Sequence, residues 1–259
     1  MLPYLSFFGR TTPTYGLLMA LAGLLGWRLC VMRARNAAWP QEAASRLYVL
    51  FLVGALVGAK VYSLALVFPQ LSRDLPLLWQ DPTLFAQRYL YGGMVFYGGL
   101  IGGLICVAWA LLRHKISFAL LEQIYLPVVP LAHAIGRVGC FFAGCCYGMP
   151  TDSLLGVVYP PGGLAPAGVR LYPVQLFEAA GDLVLWALLW WGGFRRTGSR
   201  LVFYLAGYGM LRFVTECFRG DPSRGLAGPL SGAQWISLIC IAAAFGLLLA
   251  RRFRKGAKA

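Results

Sequence analysis

Charge is scarce in this sequence. Only 12% of its 259 residues are Asp, Glu, Lys or Arg, and just nine are acidic. A soluble domain carries about 25% charged residues, so a water-soluble globular fold is excluded. No soluble domain and no internal repeat interrupts the chain. Histidine is rarer still, at two residues, so any metal centre would have to draw mostly on other ligands. A cleavable signal peptide is not expected. The first apolar run begins near Thr14, has no basic region before it and is followed by arginines.

What the chain has instead is hydrocarbon, with 59% hydrophobic residues and a mean hydropathy of +0.68. The net charge of +14 does not point to nucleic acid. Its basic residues lie in short groups between apolar runs, a pattern that anchors a chain at a membrane surface. The expectation is an all-α polytopic membrane protein.

A spanning helix needs about 20 mostly apolar residues. Candidates are 14–32, 47–66, 95–112, 118–135, 173–193, 201–218 and 233–250, a total of seven. Arg33, Arg35 and Arg46, then Arg113 and Lys115, then Arg195, Arg196 and Arg200, and finally Arg251, Arg252, Arg254, Lys255 and Lys258 all fall on one side of these spans. The positive-inside rule makes that side cytoplasmic, with the N-terminus outside and the C-terminus in the cytoplasm. The chain is expected to form one transmembrane domain over 1–259, with external segments 67–94, 136–172 and 219–232. Segment 67–94, with Trp79, Phe85, Tyr89 and Tyr91, reads as amphipathic and interfacial. Segment 136–172 is rich in Gly and Pro and reads as a hinged or partly ordered loop.

Ionisable residues inside a span are costly, which makes each a functional candidate. Lys60, Glu122, His133, Glu178, Asp182, Arg212 and Glu216 are such residues, and Arg137 stands at the external end of the fourth span. For Lys60 and Asp182 an ion pair between helices is the expectation. Glu178 with Asp182, and Arg212 with Glu216, share helix faces at i, i+4. Arg137 and Arg212 are candidate ligands for a lipid phosphate, because guanidinium forks match phosphate oxygens. Cys140, Cys145 and Cys146 leave three chemical readings open beside buried free thiols: a metal site, for which C-x4-C-C is a weak pattern, a disulfide in an external compartment, or a reactive thiolate beside Arg137. The remaining cysteines, Cys30, Cys106, Cys217 and Cys240, lie in or beside apolar runs and read as packing.

Five segments in order carry a resemblance. They are Tyr15-Gly16, VFYGGLIGG at 95–103, GRVGCFFAGCCYG at 136–148, LYPVQLFEA at 171–179 and YGMLRFVTECFRGD at 208–221. Over nearly the whole chain these resemble the phosphatidylglycerol–prolipoprotein diacylglyceryl transferases, seven-span enzymes of the bacterial inner membrane. The resemblance implies transfer of a diacylglyceryl group from phosphatidylglycerol, or a related anionic phospholipid, to the lipobox cysteine of a prolipoprotein. It implies no cofactor and no metal, and an active site facing the periplasm. By position, Arg137 and Arg212 would bind or stabilise the departing phosphate, and Glu216 would hold Arg212. Tyr15, Arg219, Gly98 and Gly99 would line the substrate site, with Gln175 and Glu178 in support.

Where the family has His before Gly-Gly, this chain has Tyr97. The signature's two Asn residues are Cys140 and Ala143, and its Glu is Cys145. Tyr97 and His133 are therefore the candidate bases, although His133 can equally be a core histidine satisfied by a hydrogen bond. The replacements mark a divergent member. They leave two alternatives standing: a lipid transferase using a covalent cysteine, and a non-catalytic lipid-binding, peptide-binding or thiol-redox membrane protein.

Overall fold

Backbone in hydrocarbon must satisfy its own N–H and C=O groups, so long apolar runs fold as helices. The computed structural model describes residues 3–7, 10–161, 163–192, 199–222 and 225–256. Arg195, Arg196 and Lys258 lie outside the described residues. A hairpin of β1 (Tyr4–Phe7) and β2 (Arg10–Pro13) leads into α1 (Thr14–Asn36) and α2 (Gln41–Leu66). Three short helices follow, α3 (Phe68–Arg73), α4 (Leu77–Gln80) and α5 (Pro82–Tyr89), before α6 (Phe96–His114). Next come α7 (Phe118–Ile124), a 3-10 turn over Leu126–Val128 and α8 (Val129–Ala143). Strands β3 (Val157–Val158) and β4 (Arg170–Leu171) precede α9 (Val174–Trp191) and α10 (Ser199–Cys217). The hairpin β5 (Leu226–Ala227) and β6 (Leu230–Ser231) then enters α11 (Gly232–Gly256).

Six helical stretches among the described residues are long and apolar enough to cross a membrane: Thr14–Asn36, Gln41–Leu66, Phe96–His114, Phe118–Ala143, Val174–Trp191 and Gly232–Phe253. This is a mostly helical, multi-pass membrane protein. The segment expected as the sixth span is a helix, α10, but it carries Arg200, Arg212 and Glu216 and is not among those six. The fourth expected span differs more. Pro127 and Pro130 break it into α7, the 3-10 turn and α8, because proline removes a ladder donor and crowds the preceding turn. It then runs past residue 135 to Ala143, where Gly144 caps it at φ 71°. Arg137 and Cys140 are thus helical and not in a loop.

The chain divides into two compact units, residues 1–33 with 119–259, and residues 34–118. In the smaller unit α2 packs on α6. The seam is built of small residues, Gly54 and Gly58 on one helix against Gly98 and Gly102 on the other, so the backbones nearly touch. A side chain at Gly58 would collide with the Gly98 carbonyl and the Gly102 Cα. Lys60 is not in the expected ion pair. Its Nζ donates to the carbonyls of Leu90 (3.1 Å) and Gly92 (2.6 Å), tying segment 67–94 back to α2. In that segment Phe85 and Tyr89 are buried, Arg88 and Tyr89 both bond Asp74, and Trp79 stands exposed.

In the larger unit α8 packs on α9, α9 on α10 and α10 on α11. Its polarity is inverted relative to a soluble fold. Leu24, Leu183, Val184 and Ile239 are exposed, whereas Gln175, Glu178, Asp182, Arg212 and Glu216 are buried. Glu122 on α7 accepts from the Leu201 N–H at 2.8 Å, placing a carboxylate at the N-terminus of α10. Arg33 donates to the Gln123 carbonyl and covers the Trp190 ring at 4.7 Å. Segment 144–172 is folded onto a small core of Tyr159, Ala165 and Leu171, with Phe141 and Tyr147 against it.

The glycine seam gives a direct test. Gly58→Val should destabilise the protein by about 1–3 kcal/mol through overpacking. Leu56→Ala, on the exposed face of the same helix, should stay within about 0.5 kcal/mol. Reversible unfolding in mixed micelles measures both.

Candidate functional site

Helical spacing assembles the site in the larger unit. On α8, His133, Arg137 and Cys140 recur at three- and four-residue steps and so share a face. On α9 the same periodicity aligns Gln175, Glu178 and Asp182, and on α10 it aligns Arg212 and Glu216. Packing α9 against both α8 and α10 turns these faces toward one another.

Glu178 is the hub, at 1% exposure. One carboxylate oxygen lies 2.9 Å from Arg137 Nη2 and the other 2.7 Å from Arg212 Nη1. A second carboxylate, Glu216, holds Arg212 Nη2 at 2.6 Å and stands 3.5 Å from Arg219 Nη1. Arg219 is clasped in turn by both oxygens of Asp221. His133 Nδ1 is 2.7 Å from Asp182 Oδ2, and its Nε2 is 3.9 Å from Glu178. Its ring meets Tyr208 edge-on at 5.3 Å. Unpaired charges here would each cost several kcal/mol, so the carboxylates are what allow the arginines to be buried. Among the described residues, Arg137 Nε is a buried donor without a hydrogen-bond acceptor.

The loop after α8 is fixed to the end of α10 by backbone hydrogen bonds. Met149 N–H donates to Phe218 O (2.8 Å), and Gly220 N–H donates to Tyr147 O (3.0 Å). Gln175 anchors the loop from α9 through the Cys145 carbonyl at 2.6 Å and the Tyr159 hydroxyl. These ties set Arg219 Nη2 3.6 Å from Cys146 Sγ. All seven cysteines are free thiols, so the disulfide reading of the Cys140 cluster is not realised. The Cys140, Cys145 and Cys146 sulfurs nevertheless lie within 4.8 Å of one another. Hydrogen bonds from Cys140 and Cys145, then the charges of Arg219 and Arg137, hold the Cys146 thiol well below its ordinary pKa. Hydrogen bonds with Cys140 and Cys146, then burial, push Cys145 up.

Of the residues expected at the site, Arg137, Arg212, Glu216, Arg219 and His133 form one connected network. Tyr15 lies beside it, its ring over Gly139 of α8, where the absence of a side chain lets the two helices approach. Tyr97 belongs to the other unit, half-exposed in the first turn of α6. Gly98 and Gly99, expected to line the substrate, are buried in the α2–α6 seam against Gly58, Tyr62 and Ala55. Sequence reasoning gave Glu178 only a supporting place and did not single out Asp221. The Arg-Gly-Asp run at 219–221 was the available signal, since a carboxylate two residues on can reach back to its arginine.

Compared with known proteins, the sequence matches the family described as prolipoprotein diacylglyceryl transferase over residues 4–250. It is 32% identical to phosphatidylglycerol–prolipoprotein diacylglyceryl transferase 2 of Clostridium perfringens, over 90% of this chain and 89% of that one. The Clostridium tetani phosphatidylglycerol–prolipoprotein diacylglyceryl transferase is 31% identical, with 96% of each chain covered. The Francisella tularensis subsp. novicida protein of that name is 34% identical over 82% of this chain and 77% of its own.

The hub carries its own prediction. Glu178→Ala leaves two buried guanidinium groups without their shared partner and should cost about 3–5 kcal/mol. Gln175→Ala removes neutral hydrogen bonds and should cost about 1–3 kcal/mol through the groups it leaves unsatisfied. Unfolding in micelles ranks the two variants.

Proposed function

Because the chain belongs to the prolipoprotein diacylglyceryl transferase family, we propose that its buried arginine network serves transfer from phosphatidylglycerol to a prolipoprotein. The protein is a transferase of lipoprotein biosynthesis. In the reaction, the thiol sulfur of the lipobox cysteine attacks the glyceryl carbon bearing the phosphate ester. A C–S bond forms and the C–O bond breaks. The electron pair leaves on the oxygen of glycerol phosphate, and the thiol proton passes to a base.

One observation carries the assignment of roles. Arg137 and Arg212 converge on a single carboxylate, and Arg137 Nε remains a buried donor without an acceptor. Such donors suit a phosphate oxygen, and they count most for the charge that grows on the leaving group. Arg137 and Arg212 therefore bind the phosphate and stabilise its departure. Glu178 and Glu216 hold the two arginines, and Arg219 and Tyr15 complete the lining. His133, oriented by Asp182 through Nδ1, accepts the thiol proton on Nε2. Tyr97 is the second candidate base.

In membrane terms, α10 is the sixth of seven spans in chain order and brings the six apolar helices to seven. It tolerates Arg212 and Glu216 because each charge meets an opposite one inside the bundle. The groups of basic residues after alternate spans support an external N-terminus and a cytoplasmic C-terminus. That orientation turns the site to the periplasmic side of a bacterial inner membrane, where a secreted peptide arrives.

The experiment supplies purified protein with phosphatidylglycerol vesicles and a lipobox peptide, and follows the thioether product and glycerol phosphate together. Wild type should form both in equal amounts. Arg137→Lys, which keeps the charge but loses the guanidinium fork, should lower kcat by about 10²–10³. Absence of both products from folded wild-type protein overturns the reaction, and full activity of Arg137→Lys overturns the role.

A further inference from the structure

The transfer reaction gives no task to three thiols that meet at one point. Cys140 comes from the last turn of α8, while Cys145 and Cys146 come from the turn that caps it. Gly144 is left-handed at φ 71°, and Cys146, a residue with a side chain, is left-handed too at φ 57°. That conformation is unfavourable for an L-residue. It doubles the chain back over α8, where the Cys145 N–H and Sγ both meet the Cys140 carbonyl, at 3.2 and 3.7 Å. The three sulfurs end within 4.8 Å of one another.

Packing does not require this, and neither does a disulfide, which would use two sulfurs and leave the third over. Three converging sulfurs are what a thiophilic cation requires. Metal–sulfur bonds of about 2.3 Å put ligand sulfurs about 4 Å apart, so small rotations about the Cα–Cβ bonds suffice. The surroundings suit the charge. Arg219 Nη2 sits 3.6 Å from Cys146 Sγ, and Arg137 lies one helical turn before Cys140. Both guanidinium groups are also paired with carboxylates, Arg137 with Glu178 and Arg219 with Asp221, so the bound cation itself supplies most of the charge that three thiolates need.

We propose that Cys140, Cys145 and Cys146 form a trithiolate site for a soft d10 cation, Cu(I) or Zn(II). Thiolate ligands select these ions over hard cations. Binding forms three metal–sulfur bonds and releases the protons still on the thiols to solvent. A Zn(II) ion held by three protein sulfurs keeps a fourth position open, whereas Cu(I) is satisfied by three. The site neighbours Arg137 and Arg219 of the proposed phosphate site, but metal binding by the three thiols is read out separately from the transfer reaction.

The test uses full-length, reduced protein in nanodiscs under anaerobic conditions, titrated separately with Cu(I) and Zn(II) against chelators of known affinity. One equivalent should bind, with sulfur scatterers at about 2.3 Å by X-ray absorption. Cys140, Cys145 and Cys146 should become protected from alkylation, while Cys30, Cys106, Cys217 and Cys240 label as before and report an intact fold. Cys146→Ser should weaken binding at least 100-fold. Uptake by Cys140→Ser/Cys145→Ser/Cys146→Ser equal to wild type overturns the proposal. So does a first shell of nitrogen and oxygen on wild type. Preference for one ion over the other names the cation.

Discussion

A single carboxylate shared by two arginines is the constraint on which the larger unit depends. Glu178 on α9 faces α8 through Arg137 and α10 through Arg212, so one side chain joins three helices. Hydrocarbon provides no hydrophobic force between helices. A bundle in that medium gains specificity from contacts that are intolerable when unmade. A one-residue register change in α9 would move Glu178 around the helix by about 100° and leave buried charge facing lipid. The same contact that fixes the packing therefore fixes where two guanidinium groups stand.

The smaller unit solves its packing by the opposite means. Its α2–α6 seam has glycine against glycine, and the approach is so close that backbone atoms make the contact. Lys60, the cation within α2, uses carbonyl acceptors rather than a carboxylate. Close packing through small residues needs no charge and carries none into the interior. That difference separates a unit rich in titratable groups from one that is chiefly scaffold with an exposed aromatic, Tyr97, at the start of α6.

Much of this was legible in the sequence. Apolar runs located every long helix to within a few residues at most ends, and the i, i+4 pairs Glu178/Asp182 and Arg212/Glu216 marked the polar faces. The sequence could not say which carboxylate meets which arginine, because that depends on how α8, α9 and α10 are rotated against one another. Nor did it place Arg137 inside a helix: the fourth span was expected to end at 135, before a Gly- and Pro-rich segment, whereas α8 runs on to Ala143 and Gly139 makes room there for the Tyr15 ring. Gly98 and Gly99 illustrate the converse. The resemblance put them at the substrate, and the structure adds a packing role in the α2–α6 seam that the sequence alone did not show. Segment 136–172 read as a hinged or partly ordered loop; beyond α8 its order comes from Tyr159, Leu171 and strand pairs two residues long, too short to leave a periodic signal.

The charge balance of the network bears on the order of events in the proposed reaction. Arg137, Arg212 and Arg219 face Glu178, Asp182, Glu216 and Asp221, so three cations meet four carboxylates. A phospholipid phosphodiester adds one negative charge, and its conversion to a departing phosphate monoester adds more. Charge of that sign cannot accumulate in a water-poor site without a compensating cation. The proton released by the acceptor thiol is such a cation, and His133, in contact with Asp182 and 3.9 Å from Glu178, lies on the network that needs it. Deprotonating the nucleophile and stabilising the leaving group then become one electrostatic event. In the proposed reaction the thiol's proton, taken up by His133, would offset the charge that grows on the phosphate at Arg137 and Arg212.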